Sequence, residues 1–394
     1  MFVYLDNSST TRQHDCVTDL MVKMMREDFG NPSSLHRMGV TAEKALKSAR
    51  KQTALSLGVG ENEIYFTSGG TEGDNTAVFG AWEAGKRAGK KILTSAVEHP
   101  AVLEACRRLE RLGAQVVYLG VDREGRIDLQ QLKDELTEEV ILITVMHVNN
   151  ELGTVQPLEE IGKLKREAEK RWGTRILFHT DAVQSYGKGP VETDRWGVDM
   201  LSVSGHKIHG PKGIGALYIR SGVHIPSLVW GGGQEKGFRS GTENMPAIAG
   251  LGLAAEITAE GREERIARLR ELKARLLSGI EDSLPDVRVN SPLGEDCSPS
   301  ILNVSFSGCR GEVLLHMLEQ KDIYVSTGSA CSSHKKGSHV LSAVRLPDEA
   351  IEGAVRFSLS EYNTEEQIDF AVKELAAAVE SQRKLRSAFG KKKR

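Results

Sequence analysis

No apolar run in this 394-residue chain reaches the ~18 residues needed to span a bilayer, which excludes a helical membrane anchor of ordinary kind. The opening Met1-Phe-Val-Tyr-Leu-Asp-Asn7 lacks a basic segment followed by an apolar one, so no secretory signal is expected there. Cysteine is sparse: Cys16, Cys106, Cys297, Cys309 and Cys331 are odd in number, scattered, and contain no C-x-x-C pair. That disfavours a disulfide framework and a zinc site and fits a reducing, cytoplasmic setting. Each cysteine is by default a small core residue. Neither sign of charge is in excess, with 52 basic residues against 54 acidic ones, so nucleic acid is not expected as the main partner. Repeats and low-complexity linkers are missing too. Glycine, by contrast, is abundant. Forty residues exceed the usual ~7%, and they cluster at apparent strand ends, where backbone must approach a ligand closely.

Between residues 63 and 219 strand-like and helix-like runs alternate. The strands are expected at 64–67, 92–95, 116–119, 141–147, 176–179 and 200–203, with a further apolar run at 214–219. Helices are expected near 71–88, 101–112, 129–136 and 158–172. This alternation predicts right-handed crossovers and an α/β fold, a mostly parallel sheet flanked by helices in a large domain spanning residues 15–255. A glycine-rich loop at 231–244 then leads into one long helix bearing Ile257, Ile266, Leu269, Leu272, Leu276 and Ile280. Strands at 301–306, 323–325 and 355–359 with a helix near 312–320 predict a smaller α+β domain, built from residues 1–14 and 256–394. A capping box, Thr364-Glu-Glu-Gln367, opens the last helix, and the tail Gly390-Lys-Lys-Lys-Arg394 reads as a solvated end.

In open α/β sheets ligands bind at the carboxyl ends of the strands, so the residues there carry the argument. Ser68-Gly-Gly-Thr-Glu72 follows the first strand; it reads as an ordinary N-cap or as a phosphate cradle formed by free N–H groups. His99 follows the next, suited to stack on a ring or move a proton, or else a hydrogen-bonded loop residue. Asn150 follows the 141–147 run and could donate to a ligand oxygen. Asp181, with Gln184 three residues on, ends the 176–179 run; a carboxylate there needs a cation partner. Last comes Ser204-Gly-His-Lys207, a lysine on rigid, partly shielded backbone, suited to condense with an aldehyde, or else a surface lysine in a glycine loop. One ligand uses all these parts. Pyridoxal phosphate needs a lysine for its aldehyde, an acid for its ring nitrogen, an anion cradle, and a polar group at its phenolic oxygen.

Tyr4-Leu-Asp-Asn7, Thr67-Ser-Gly-Gly-Thr-Glu72, Glu98-His99, Met146-His-Val-Asn-Asn-Glu151, Asp181-Ala-Val-Gln184 and Ser204-Gly-His-Lys207 occur in that order. Arg239-Ser-Gly-Thr242, Ser329-Ala-Cys331 and Val355-Arg-Phe-Ser-Leu359 complete the set. Together, over nearly the whole chain, they resemble the cysteine desulfurases, fold-type I pyridoxal-phosphate enzymes of the class V aminotransferase group with a seven-stranded sheet. The resemblance implies a homodimer that converts L-cysteine to L-alanine and hands the sulfur, held as a persulfide, to an acceptor protein. It implies Lys207 as the cofactor lysine, Asp181 as the pyridinium partner, His99 over the ring face, and Gln184 and Asn150 at the phenolic oxygen. Gly70, Thr71, Ser204 and His206 correspond to the phosphate site, joined by Thr242 from the other subunit. Arg356 corresponds to the residue binding the substrate carboxylate, with Asn7 and His36 near the substrate. Cys331 corresponds to the sulfur-accepting thiol, and its small, polar flanks are not those of a core cysteine. Ser329-Ala-Cys331 fits the extended-loop branch, whose members supply iron–sulfur scaffold proteins and, in some cases, tRNA thiolation. A selenocysteine lyase, or a class V aminotransferase acting on another substrate, is the alternative; neither needs Cys331.

Overall fold

The computed structural model describes residues 1–294, 296–328 and 337–390, so Cys331 and residues 391–394 of the basic tail lie outside the described residues. Its strands are β1 (Val3–Tyr4), β2 (Ile64–Thr67), β3 (Lys91–Ser95), β4 (Gln115–Leu119), β5 (Val140–Thr144), β6 (Leu177–Asp181), β7 (Met200–Ser204) and β8 (Gly215–Ile219). They continue with β9 (Val287–Val289), β10 (Ile301–Phe306), β11 (Ile323–Tyr324) and β12 (Ala354–Ser358).

Seven strands form one sheet in the order β2-β8-β7-β6-β5-β3-β4. Neighbours from β7 through β4 run parallel, while β8 lies antiparallel to both β7 and β2. The reversal has a local cause: only the turn residues 205–214 join β7 to β8, too few for a crossover. Every residue of β3, β5, β7 and β8 is buried, as strands covered on both faces must be. On one face Leu93, Ile143, Phe178 and Leu201 pack with Leu251 of helix Met245–Ala259. On the other, Ile92, Leu142 and Met200 pack against Val78 and Trp82 of helix Gly70–Gly85 and Leu109 of helix Pro100–Glu110.

The long helix expected after residue 244 is in fact two, Met245–Ala259 and Arg262–Ser283, separated at Gly261, which adopts φ +60°. Arg265 reaches back to donate to the carbonyls of Ile257, Thr258 and Glu260, closing the first helix's open end. The strand foreseen at 141–147 leaves the ladder after Thr144, although the amides of Val145 and His147 still donate to His179 and Asp181 carbonyls. Cys16 is exposed rather than in the core; Cys106, Cys297 and Cys309 are buried.

The smaller layer holds an antiparallel β12-β10-β9 sheet and a parallel β1-β11 pair. Its own apolar core joins Val3 and Leu5 to Leu272, Leu276, Val304, Phe306, Val355 and Phe357. Helix Glu365–Gly390 opens with the expected box: Thr364 N donates to Gln367 Oε1 at 3.1 Å, and Gln367 N to Thr364 Oγ1 at 3.3 Å. Among the described residues, no helix is long and apolar enough to cross a membrane.

Candidate active site

A single turn, Gly205–Lys207, follows β7 and sets Lys207 against the N-terminal strap. Its Nζ donates to the carbonyls of Ser8 at 2.6 Å and Ser9 at 2.8 Å. The strap is fixed in turn by Thr11, whose N and Oγ1 both donate to His206 O at 3.0 Å. Asp181 ends β6 beside it, buried, its Oδ1 accepting from Val183 N at 2.8 Å. Burial raises the Asp181 carboxyl above its ordinary range, and the charges of His99 and Lys207 oppose that rise. His99 caps helix Pro100–Glu110 by accepting from Ala101 N at 3.2 Å. Burial depresses its imidazole, Asp181 pulls it back up, and Lys207 pushes it down again. Gln184 donates through Nε2 to Ser8 O at 2.9 Å, and its buried Oε1 has no partner among the described residues.

Next to this group a cavity of about 390 Å³ is lined by Ser68, Gly69, Gly70, Thr71, Ser204 and His206. It sits at the N-terminus of helix Gly70–Gly85, where unpaired N–H groups favour an anion. A Cβ on Gly70 would lie 2.7 Å from Val183 Cγ2, so the cradle is shaped for glycine. His206 is held neutral, its imidazole lowered to about 4 chiefly by burial. An anion cradle, a buried acid, a lysine and an unspent polar atom on Gln184 fit the parts of pyridoxal phosphate.

Arg356, in β12, is nearly buried and bridges to the strap. Its Nη1 donates to Asn150 O at 2.8 Å, while Nη2 donates to Asp6 Oδ1 at 2.8 Å and Ser9 Oγ at 2.7 Å. Among the described residues its buried Nε has no hydrogen-bond partner. Asn7 spends its amide on the carbonyls of Tyr4 and Ser358, at 3.2 and 2.9 Å. His36 is exposed and caps helix Arg37–Leu57, accepting from Gly39 N at 3.4 Å. Thr242 is exposed and lines a neighbouring cavity with Arg239 and Glu243. The structure thus brings together Lys207, Asp181, His99, Gln184 and Arg356, whereas neither His36 nor Thr242 hydrogen-bonds to this group.

Three further residues belong here to which the motifs assigned no role. Lys188 lines a small cavity with Lys207, and burial, then Lys207 and Arg356, lower its amine to about 7. Glu98 is fully buried, accepts from Met146 N through both oxygens, and is pushed up to about 8 by that burial. His339 reaches Glu98 O through Nε2 at 3.0 Å. The only sequence signal for these was adjacency: Glu98 precedes His99, and Lys188 lies four residues after Gln184. Among the described residues no cluster of His, Cys, Asp and Glu could hold a metal ion.

Residues 3–370 match the class-V aminotransferase family. The cysteine desulfurase IscS of Dictyoglomus turgidum is 44% identical over 382 residues, covering 97% of this chain and 95% of its own length. A solved NifS-like protein superimposes with a TM-score of 0.90 at 39% identity, over 96% of this chain and 100% of that one. A structure described as SspA in complex with cysteine gives 0.79 at 35% identity, over 92% and 100% of the two chains. A cofactor-shaped cradle at these strand ends and relatives that align end to end give one answer: the chain belongs to the cysteine desulfurases, pyridoxal-phosphate enzymes of the class-V aminotransferase family.

Proposed function

We propose that the chain takes sulfur from L-cysteine, releases L-alanine, and passes the sulfur on from Cys331. The observation that carries this reading is convergence: Lys207, Asp181, His99 and Arg356, from four separate strands and their loops, meet beneath the strap of residues 6–11. When bound, pyridoxal phosphate supplies an electron sink through its protonated ring. Asp181 holds that ring proton. Arg356 holds the substrate carboxylate as a fork, with Nε unspent for the purpose. Lys207, released from the strap carbonyls, takes the α-proton, and His99 moves a proton at the substrate sulfur. The Cys331 thiolate attacks that sulfur: the S–S bond forms, the substrate C–S bond breaks, and the carbon skeleton is protonated and leaves as alanine.

Gly70, Thr71, Ser204 and His206 hold the phosphate together with Thr242 from a second copy, so the working form is a homodimer. Gln184 and Asn150 would hold the phenolic oxygen of the bound cofactor, and Asn7 and His36 would serve on the substrate side. Residues 15–255 act as the cofactor domain, and residues 1–14 with 256–394 as the smaller domain carrying Cys331 and Arg356. The acceptor is a protein of the iron–sulfur scaffold kind or a tRNA-thiolation enzyme, met in the cytoplasm.

The test is Cys331→Ser in the holoenzyme. The variant is expected to keep the cofactor's absorbance and its response to L-cysteine, yet form no persulfide and lose alanine turnover. Alanine release at the wild-type rate would sink this reading. Selenocysteine turnover surviving in the same variant would be the mark of a lyase instead.

A further inference from the structure

Outside the active site, Lys273 and Cys297 form a buried amine–thiol pair. Lys273 lies on helix Arg262–Ser283, and its Nζ is 3.5 Å from Cys297 Sγ and 2.8 Å from Ser298 O. Both residues are more than nine-tenths buried, at 6% and 7% exposure. Among the described residues Lys273 has no carboxylate partner, so its cation is matched only by a carbonyl and a sulfur. A buried ammonium in that position gives up its proton more readily than one in water, and burial does lower the Lys273 amine. The thiol donates to Gly294 O at 3.1 Å, beneath a surface turn in which Leu293 is exposed. Cys297 keeps a 7% exposure beneath that turn, and a nitrogen lies beside its sulfur.

We propose that Lys273 and Cys297 are a redox-modification site that closes to a reversible S–N cross-link when a hydroperoxide oxidises the thiol. In the first step the Cys297 sulfur attacks hydrogen peroxide: an S–O bond forms, the O–O bond breaks, sulfur is oxidised to a sulfenic acid, and the departing hydroxide takes the thiol proton and leaves as water. In the second the neutral Lys273 amine attacks that sulfur; the S–N bond forms, the S–O bond breaks, and the departing hydroxide takes the amine proton as a second water. No further oxidant is consumed. An external dithiol reverses the bond, attacking sulfur and releasing the amine. The placement gives the link a reach. Cys297 bridges to Thr154, and Ser298 N donates to Gly153 O at 2.7 Å, so the link fastens the helix to the 149–153 loop that carries Asn150 and its bond to Arg356.

The experiment treats the holoenzyme with hydrogen peroxide, alkylates remaining thiols, and maps peptides by mass spectrometry. The expected product joins the peptides containing Lys273 and Cys297, is two hydrogen atoms lighter than their sum, and disappears with dithiothreitol. It is absent from Cys297→Ser and from Lys273→Arg, the latter keeping the charge and the donor to Ser298 O. Recovery of Cys297 as an alkylated thiol, or as a sulfenic or sulfinic acid with a free Lys273 amine, while exposed Cys16 is oxidised, overturns the proposal.

Discussion

Arg356 offers the sharpest prediction. Its guanidinium points three ways at once, to Asn150 O, to Asp6 and to Ser9, with Nε left over. A lysine is a point charge and cannot reproduce that fork. Arg356→Lys therefore loses about one charge-assisted hydrogen bond to the substrate carboxylate, roughly 2 kcal/mol, or ~30-fold in kcat/KM expressed mainly in KM. Asp6→Asn should act in the opposite direction. Asp6 sits 2.8 Å from Arg356 as a competing carboxylate, and neutralising it leaves a nearly buried cation short of a counter-charge. The incoming substrate carboxylate then supplies that charge, and KM falls. The assay is initial-rate alanine formation against L-cysteine, with the cofactor absorbance as the check that each variant is folded and loaded. An Arg356→Lys KM within ~3-fold of wild type, less than the ~1 kcal/mol of a single ordinary hydrogen bond, would refute the role given to Arg356. So would a raised KM in Asp6→Asn.

Glu98 predicts a stability profile. Its carboxyl is raised from 4.5 to about 8 in the folded chain, so its contribution is fully present below about 4.5 and is lost as pH climbs through about 8. The wild-type melting temperature should fall over that window relative to Glu98→Gln, and parallel curves for the two proteins would contradict the burial argument. Gly70→Ala places a methyl 2.7 Å from Val183 Cγ2, narrowing the cradle. Fluorescence titration of the cofactor-free variant with pyridoxal phosphate should show affinity weakened by ~5-fold, the equivalent of the ~1 kcal/mol lower end of an overpacking cost; unchanged affinity would mean the cradle has slack.

The chemistry was legible in the sequence where it rides on side chains at strand ends. Continuous apolar runs mark buried strands, so Asp181, His99 and Lys207 stand out as the polar residues that stop them. Thr364 and Gln367 were legible for a similar reason, because a capping box is a local contract between residues three apart. Backbone partners leave no such mark. Nothing in Ser8 or Ser9 announces that their carbonyls hold Lys207, since carbonyls are common to every residue. The helix break at Gly261 escaped because apolar spacing resumes on its far side, although a glycine in that position is itself a stop signal. Contacts such as His14 Nδ1 to Tyr362 OH, at 2.7 Å across 348 residues, exist only after folding.

The strap deserves its own consequence. Together with β1, which pairs with β11 through Val3 and Tyr4, it grips Arg356 through Asp6 and Ser9 and holds Lys207 through Ser8 and Ser9. Beta11 in turn leads into the segment that contains Cys331. One short length of backbone therefore ties together Arg356, Lys207 and the strand that precedes the cysteine segment. The same few residues thus fix the spacing of all three, through the Ser8 and Ser9 carbonyls on one side and the Asp6 and Ser9 side chains on the other.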